Sequence, residues 1–406
     1  MGTITRTFPS GFTGTGETYT SVSGARGTSN VGSSAAKREV DEAMVTFEPY
    51  QTPILTELLT NKMRRKPTGN QTFEWVTSSL LPRTDTVTLA GGAANEDNIT
   101  VGDSTLYQVG TKFVNDASGE VCIVDSIASS QVDVTKIGSG NITALSAGTV
   151  HFLGDSFEQG SSSATAKSVN KEFPYNYVEL FKKSVHETES QQATQEYGPD
   201  DWTRNKMDRM PEFKLDLEAN FLWGIRDTNT GFQNGTFTQY HTGGVVIDST
   251  ANFISAIYDY TTLTEALFFD TFLAGWSSRG SNKKRLYAGS SLITTINNFS
   301  KVKQQTAVSD EVYGVRIKTI KSEFGDVELA WHPMLEGTTY AGYGVGLDMG
   351  RDYVKYRYLA ANGKSRDIGF RDYTNPLYQE QDSRKGEWLG EIGWEIQGSE
   401  YHALIY

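Results

Sequence analysis

The sequence predicts an α+β fold in which strands come first, helices second and strands again last. Three observations carry this. From about residue 100 to residue 153 the chain runs in short β-forming stretches separated by Asn, Asp, Gly and Ser turns. Through residues 200–303 apolar residues recur at helical spacing. After residue 315 the pattern returns to alternation, and no strand–helix–strand repetition suggests a parallel sheet.

Residues 1–36 are rich in Gly, Ser and Thr and almost lack large aliphatics, which predicts an arm ordered only by lying on something else. Residues 37–63 change character. Ala43, Met44, Val45 and Phe47 suit short pieces, and Ile54, Leu55, Leu58 and Leu59 suit one helix face. Residues 72–89 read as extended, with Phe73 and Trp75 alternating with Glu74 and Val76. Five strands are then expected at 106–109, 112–114, 120–127, 132–137 and 149–153, with turns at Asn115-Asp116, Ser118-Gly119 and Gly138-Ser139-Gly140. Gly91-Gly92 before them and Gly160–Ser163 after them bound a small inserted β-barrel or sandwich. Residues 173–190 are extended again, so the simplest geometry is a two-stranded arm carrying this unit at its tip.

Asp200 and Asp201 are N-cap candidates for a helix in which Phe213, Leu217 and Phe221 recur every fourth residue and Leu215 and Leu222 stand seven apart. Gly224 should end it, and Pro211 predicts a kink or a second start. Thr262 and Glu265 form a capping box for a helix through Leu263, Leu267, Phe268, Phe272, Leu273 and Trp276, apolar over much of its circumference. A third helix is expected over 292–303. Alternation then marks strands at Val315 and Ile317, at Val327, Leu329 and Trp331, and at Ile392, Trp394 and Ile396.

Composition bounds the function. With 37% apolar and 12% aromatic residues the chain can build a core, yet no stretch approaches the roughly 20 apolar residues of a membrane span. The single cysteine, Cys122, excludes an internal disulfide, and the first residues lack a secretory pattern, so folding in a reducing cytoplasm is expected. The net charge of −12 speaks against a strongly basic nucleic-acid binder. The densest basic run, Lys62, Arg64, Arg65 and Lys66, reads as a solvated turn or as a contact with phosphate or an acidic neighbour.

A search for chemistry returns little. His151, His186, His241, His332 and His402 lack metal-ligand spacing, so no metal site and no cofactor is expected. No nucleophile elbow, phosphate loop or zinc-protease motif is present, and no catalytic residue is assigned. Gly342, Gly344 and Gly346 read as a turn, and Glu96, Asp97 and Asp103 as a solvated loop. Asp216 and Glu218 on the long helix are expected to face solvent or a neighbour's basic residue. What remains is shape: an arm and a projecting hairpin, marginal on a monomer, make sense when neighbouring copies cover them.

In this light the chain resembles tailed-phage major capsid proteins of the Hong Kong 97 type, in particular the group related to the capsid protein of the phage SU-ten. The segments that carry the resemblance are TPILTELL (52–59), TFEWVTSSL (72–80), VGDSTLYQVGTKF and GEVCIVDSI in the insert, and QQATQEYG (191–198). EFKLDLEANFLWG (212–224), HTGGVVIDS (241–249), LYAGSSLITTINNF (286–299), IKTIKSEFGDVELAWHPML (317–335) and GEIGWEIQGSEYHALIY (390–406) continue it.

The resemblance implies an N-terminal arm over 1–50, an extended loop with flanking peripheral segments over 51–99 and 156–199, and a β insertion over 100–155. It further implies a spine helix and peripheral domain over 200–254, an axial domain over 255–345, and a return to the peripheral domain over 346–406. It implies a non-enzymatic virion protein assembling in the host cytoplasm into hexamers and pentamers of an icosahedral head. Portal, scaffolding and decoration proteins would be partners. Packaged double-stranded DNA would be touched weakly and without sequence specificity, and no membrane is involved. Rival readings are a tail or baseplate adhesin, opposed by the helix 262–276 and the lack of repeats, and a carbohydrate-active enzyme, opposed by the missing export pattern.

Overall fold

The structure is a computed structural model of the chain. It describes residues 2–5, 18–21, 52–89, 97–138, 142, 145–194, 200–230, 237–247, 254, 256–301, 319–322, 325–350, 352–373 and 382–406. Most of the expected arm, the apolar pieces at 43–47 and the alternation at Val315 and Ile317 lie outside the described residues. The chain divides into two compact units. One comprises residues 1–51, 182–215 and 369–389, and the other residues 52–181, 216–368 and 390–406.

In the first unit Gly369–Asp372 pairs antiparallel with residues 386–389. Trp202, Phe370 and Trp388 pack edge to face, with ring centroids 6.1 and 5.3 Å apart. The Trp388 indole donates to the Lys206 carbonyl at 2.9 Å, and the Lys206 ammonium lies 4.4 Å from the Phe370 ring centre. The long helix starts here and runs over Asp201–Trp223. Asp200 caps it as expected, accepting from the Thr203 amide at 3.1 Å. The expected break at Pro211 does not occur, since the helix is continuous. The carbonyl that Pro211 cannot donate to belongs to Met207, a residue 67% exposed, on the solvent side of the helix where water reaches the backbone.

The second unit contains the small β domain, which is a closed six-stranded barrel. Around the barrel the order is Gly148–Asp155, Thr84–Leu89, Asn98–Val101, Gln131–Lys136, Val121–Ala128 and Thr111–Asn115. Four of the five expected strands are present, but 106–109 is not one: Ser104–Leu106 is a 3-10 turn capped by Asp103. The barrel instead takes in Asn98–Val101 and also Thr84–Leu89, the latter placed by the sequence in the extended stretch. Val87 supplies the reason: it joins Ile99, Phe113, Cys122, Val132 and Val150 in the barrel core and is buried with them. Gly110 has φ +92°, and a Cβ there would sit 2.4 Å from the Ser156 carbonyl oxygen, so only glycine fits where the barrel closes.

The expected two-stranded arm is short. Thr72–Glu74 pairs with Tyr175–Tyr177, and one bridge joins Thr77 to Glu172. Residues 78–83 and 156–171 then run to the barrel without strand pairing. Beyond the arm, Glu179–Thr188 pairs with Ser383–Ile396 instead of continuing the ribbon. Alternation makes a segment extended without saying which strand it will join.

A six-stranded mixed sheet completes this unit, in the order Ala256–Tyr258, Ala403–Ile405, Gly344–Asp348, Lys283–Ala288, Gly325–Trp331 and Thr319–Ser322. Contrary to expectation, Lys283–Ala288 and Gly325–Trp331 pair in parallel, with helix Ser290–Lys301 falling between them in sequence. The expected helix 262–276 starts later, at Glu265. Thr264, not Thr262, caps it, accepting from the Leu267 amide at 3.3 Å, and Leu267–Leu273 is π-helical. Gly344 and Gly346 form no turn: they are buried in a strand. Added Cβ atoms would stand 2.5 Å from Leu292 and 2.8 Å from Trp276, so glycine lets both helices approach the sheet.

Candidate functional site

Among the described residues no group of three or more His, Cys, Asp or Glu side chains converges on a metal position. The residues singled out from sequence have structural surroundings. Arg64 is buried and donates to the Met349 sulfur at 2.8 Å and to its carbonyl. Arg65 pairs with Asp367. Half of the basic run is thus turned into the fold, which corrects the solvated-turn alternative for those two residues. Asp103 accepts from the Thr105 amide at 2.9 Å. His151 meets Asp116 at 2.8 Å on an exposed surface.

Glu218 overturns the expectation for its part of the helix. Its side chain has no exposed surface. Oε1 accepts from the Ile54 amide at 2.9 Å and Oε2 from the Leu55 amide at 2.8 Å. Those are first-turn donors of helix Pro53–Thr60, whose own N-cap residue, Thr52, makes no capping bond. The His332 Nε2 donates to Oε1 at 2.9 Å, while His332 Nδ1 accepts from the Met334 amide at 3.2 Å, which fixes the neutral tautomer. One carboxylate thus ties together the start of the fold, the long helix and the turn after strand Gly325–Trp331. On the same short helix Glu57 accepts from Tyr287 Oη at 2.8 Å and pairs with Arg285. A signal existed: Glu218 stands between Leu215 and Leu222, in the helix's apolar stripe.

A second set of buried polar groups fixes the base of the arm. Asn176, fully buried, donates to the Trp394 carbonyl at 2.8 Å and the Gly243 carbonyl at 3.2 Å, and accepts from the Gly243 amide at 2.9 Å. Glu179 accepts from Asn220 at 3.1 Å and from the Thr242 amide at 3.0 Å. Asn220 in turn accepts from the Trp394 indole at 3.0 Å. Gly224 closes this packing: a Cβ there would lie 2.5 Å from the Thr242 carbonyl, so close approach explains the glycine at the helix end.

Past this anchorage the arm changes character. Leu80 is 92% exposed, and Val76, Phe157 and Phe173 are also exposed. A groove of about 610 Å³ lies at the arm's base, lined by Trp75–Ser79 on one side and Ile396–Tyr401 on the other. Firm anchorage followed by chain that has no strand partner and exposes Leu80 and Phe157 suits contact between subunits.

The comparisons with known proteins agree. The family described as SU10 major capsid protein matches residues 12–406. Nothing among curated proteins matches. Of solved structures, the cyanophage A-1(L) capsid is similar at a TM-score of 0.50 and 10% identity, with 93% of this chain and 98% of that chain covered. The capsid of a native GTA particle gives a TM-score of 0.49 and 9% identity, with 93% and 97% covered. The mixed α/β architecture with its small barrel is therefore a phage-capsid fold, as the resemblance implied. The chain belongs to the SU10 major capsid protein family: it is a structural protein of a phage virion, the subunit of a capsid shell built from many copies, and not an enzyme.

Proposed function

We propose that copies of this chain assemble as hexamers and pentamers of a closed icosahedral head that encloses double-stranded DNA. The observation that carries this reading is the arm: a base held by Asn176 and Glu179, then residues 78–83 and 156–171 without strand partners and with Leu80 and Phe157 exposed. Such a segment gains an interior when a sister subunit lies against it. In this reading residues 1–50 are the N-terminal arm, 51–99 with 156–199 the extended loop and its flanks, and 100–155 the tip insertion. Residues 200–254 and 346–406 then form the peripheral domain and residues 255–345 the axial domain. With a net charge of −12 the protein does not recruit DNA by itself, so DNA contacts are weak and unspecific and a motor must drive the genome in. Portal, scaffolding and decoration proteins are the further partners, and assembly takes place in the host cytoplasm. Negative-stain images of concentrated protein test the reading: rings and closed shells support it, whereas elongated trimers or isolated monomers at every concentration refute it.

A further inference from the structure

The apolar core of the mixed sheet contains one polar island. Lys284, Asp348 and His402 are all buried within it. Asp348 accepts from the Ser281 amide at 2.6 Å, the Gly350 amide at 3.0 Å and the Ser281 hydroxyl. The Lys284 ammonium donates to the carbonyls of Trp276 and Arg279 and lies 5.2 Å from the Trp276 ring centre. His402 Nδ1 accepts from the Asp348 amide at 3.2 Å, so Nε2 carries the proton and faces the Gln397 carbonyl at 3.2 Å. The imidazole thereby joins strand Gly344–Asp348 to the turn 397–402. That turn is also held by the Trp276 indole, which donates to the Tyr401 carbonyl at 2.8 Å. Its outer side forms one wall of the groove at the arm's base.

We propose that His402 is an acid-operated latch on this turn: neutral, it fastens residues 397–402 to the sheet, and protonated, it lets them go. The chemistry is a clash of donors. A proton added to Nδ1 points at the Asp348 N–H, so the bond that held strand to turn is lost, while Nε2 still donates to Gln397. The surrounding charges do not rescue the cation. Lys284 repels it from strand Lys283–Ala288. The Asp348 carboxylate attracts it but is committed to Ser281 and Gly350. Arg279 and Glu400 pair with each other at the exposed rim, and Glu395, on the strand leading into the turn, is paired with Lys355 and Arg357. Burial, foremost, holds the imidazole down at about 4, against about 6.5 in an open chain. The sign follows. The latch is fully closed above pH 6.5 and weakens as pH falls toward 4, because the opened turn takes up the proton more readily.

The test is amide hydrogen exchange in the full chain at pH 7 and pH 4.5, corrected for intrinsic rates, with His402→Gln beside it. Glutamine can accept from Asp348 and donate to Gln397 at either pH. Exchange at Asp348 and Tyr401 should rise roughly tenfold or more on acidification in the parent and stay level in H402Q. A similar rise in both, or in neither, overturns the latch. If H402Q does not fold, the parent decides by itself. A rise confined to Asp348 and residues 397–402 supports the latch, and an equal rise in strand Lys283–Ala288 shows general acid unfolding and overturns it.

Discussion

Glu218 and His332, 114 positions apart, meet at 2.9 Å with neither side chain exposed. The carboxylate has two further donors, Ile54 and Leu55, so it works as a cap delivered from another helix. Replacing it with glutamine puts an NH₂ group against N–H donors. Glu218→Gln should cost about 3 kcal/mol in urea unfolding, since hydrogen bonds to a charged acceptor are lost and a buried donor is orphaned. A loss within 0.5 kcal/mol would show the clasp to be dispensable.

The barrel boundary sets a second expectation. Removing residues 84–155 and joining Arg83 to Ser156 with a short Gly/Ser link should leave a soluble remainder, because the whole barrel core, from Val87 to Val150, leaves with the deleted residues. Cutting only 100–155 should yield aggregating protein, because Thr84–Leu89 then keeps Val87 but loses its partner strands. Equal solubility of the two deletions, read by gel filtration, would contradict the barrel's boundaries.

Gly346 faces the Trp276 ring. Gly346→Ala places a methyl group 2.8 Å from it and should destabilise by about 1–3 kcal/mol through overpacking. Gly363→Ala, at an open turn with φ +74°, strains only the local backbone and should cost less. Thermal midpoints of the two variants rank them.

Tyr356 donates to Asp367 at 2.7 Å, and burial, reinforced by the Asp367 charge, raises its pKa far above 10. The unfolded phenol ionises near 10, so this contribution is complete below pH 10 and is lost as pH rises above it. Tyr356→Phe should therefore lose less stability than the parent between pH 9 and pH 11, measured as the shift in urea midpoint. Parallel losses would remove Tyr356 from the alkaline limb.

Deleting residues 1–36 should leave a folded subunit that no longer closes into shells. That segment is nearly devoid of large aliphatics, whereas Ile54, Leu55 and Leu58 are buried in the core. Circular dichroism matching the parent with loss of shells in electron micrographs is the expected pair of results. Normal shells would assign the arm no part in assembly.

Local pattern was enough for many of the elements. The Asp200 cap, the helix through Phe213, Leu217 and Phe221, and the turn over Asp116–Ser118 in the small β domain are set by residues a few positions apart, and they stand in the structure. The resemblance carried by ordered segments also led to the family. Partner choice was decided elsewhere. Thr84–Leu89 joins the barrel and Glu179–Thr188 joins Ser383–Ile396, though both read only as extended chain. Gly344 and Gly346 became strand residues because Leu292 and Trp276 need the space. Glu218 looked like one more surface carboxylate until Ile54, Leu55 and His332 were brought to it from 164, 163 and 114 positions away. A charge is buried only where donors converge on it, and that convergence belongs to the packed chain and not to any window of sequence.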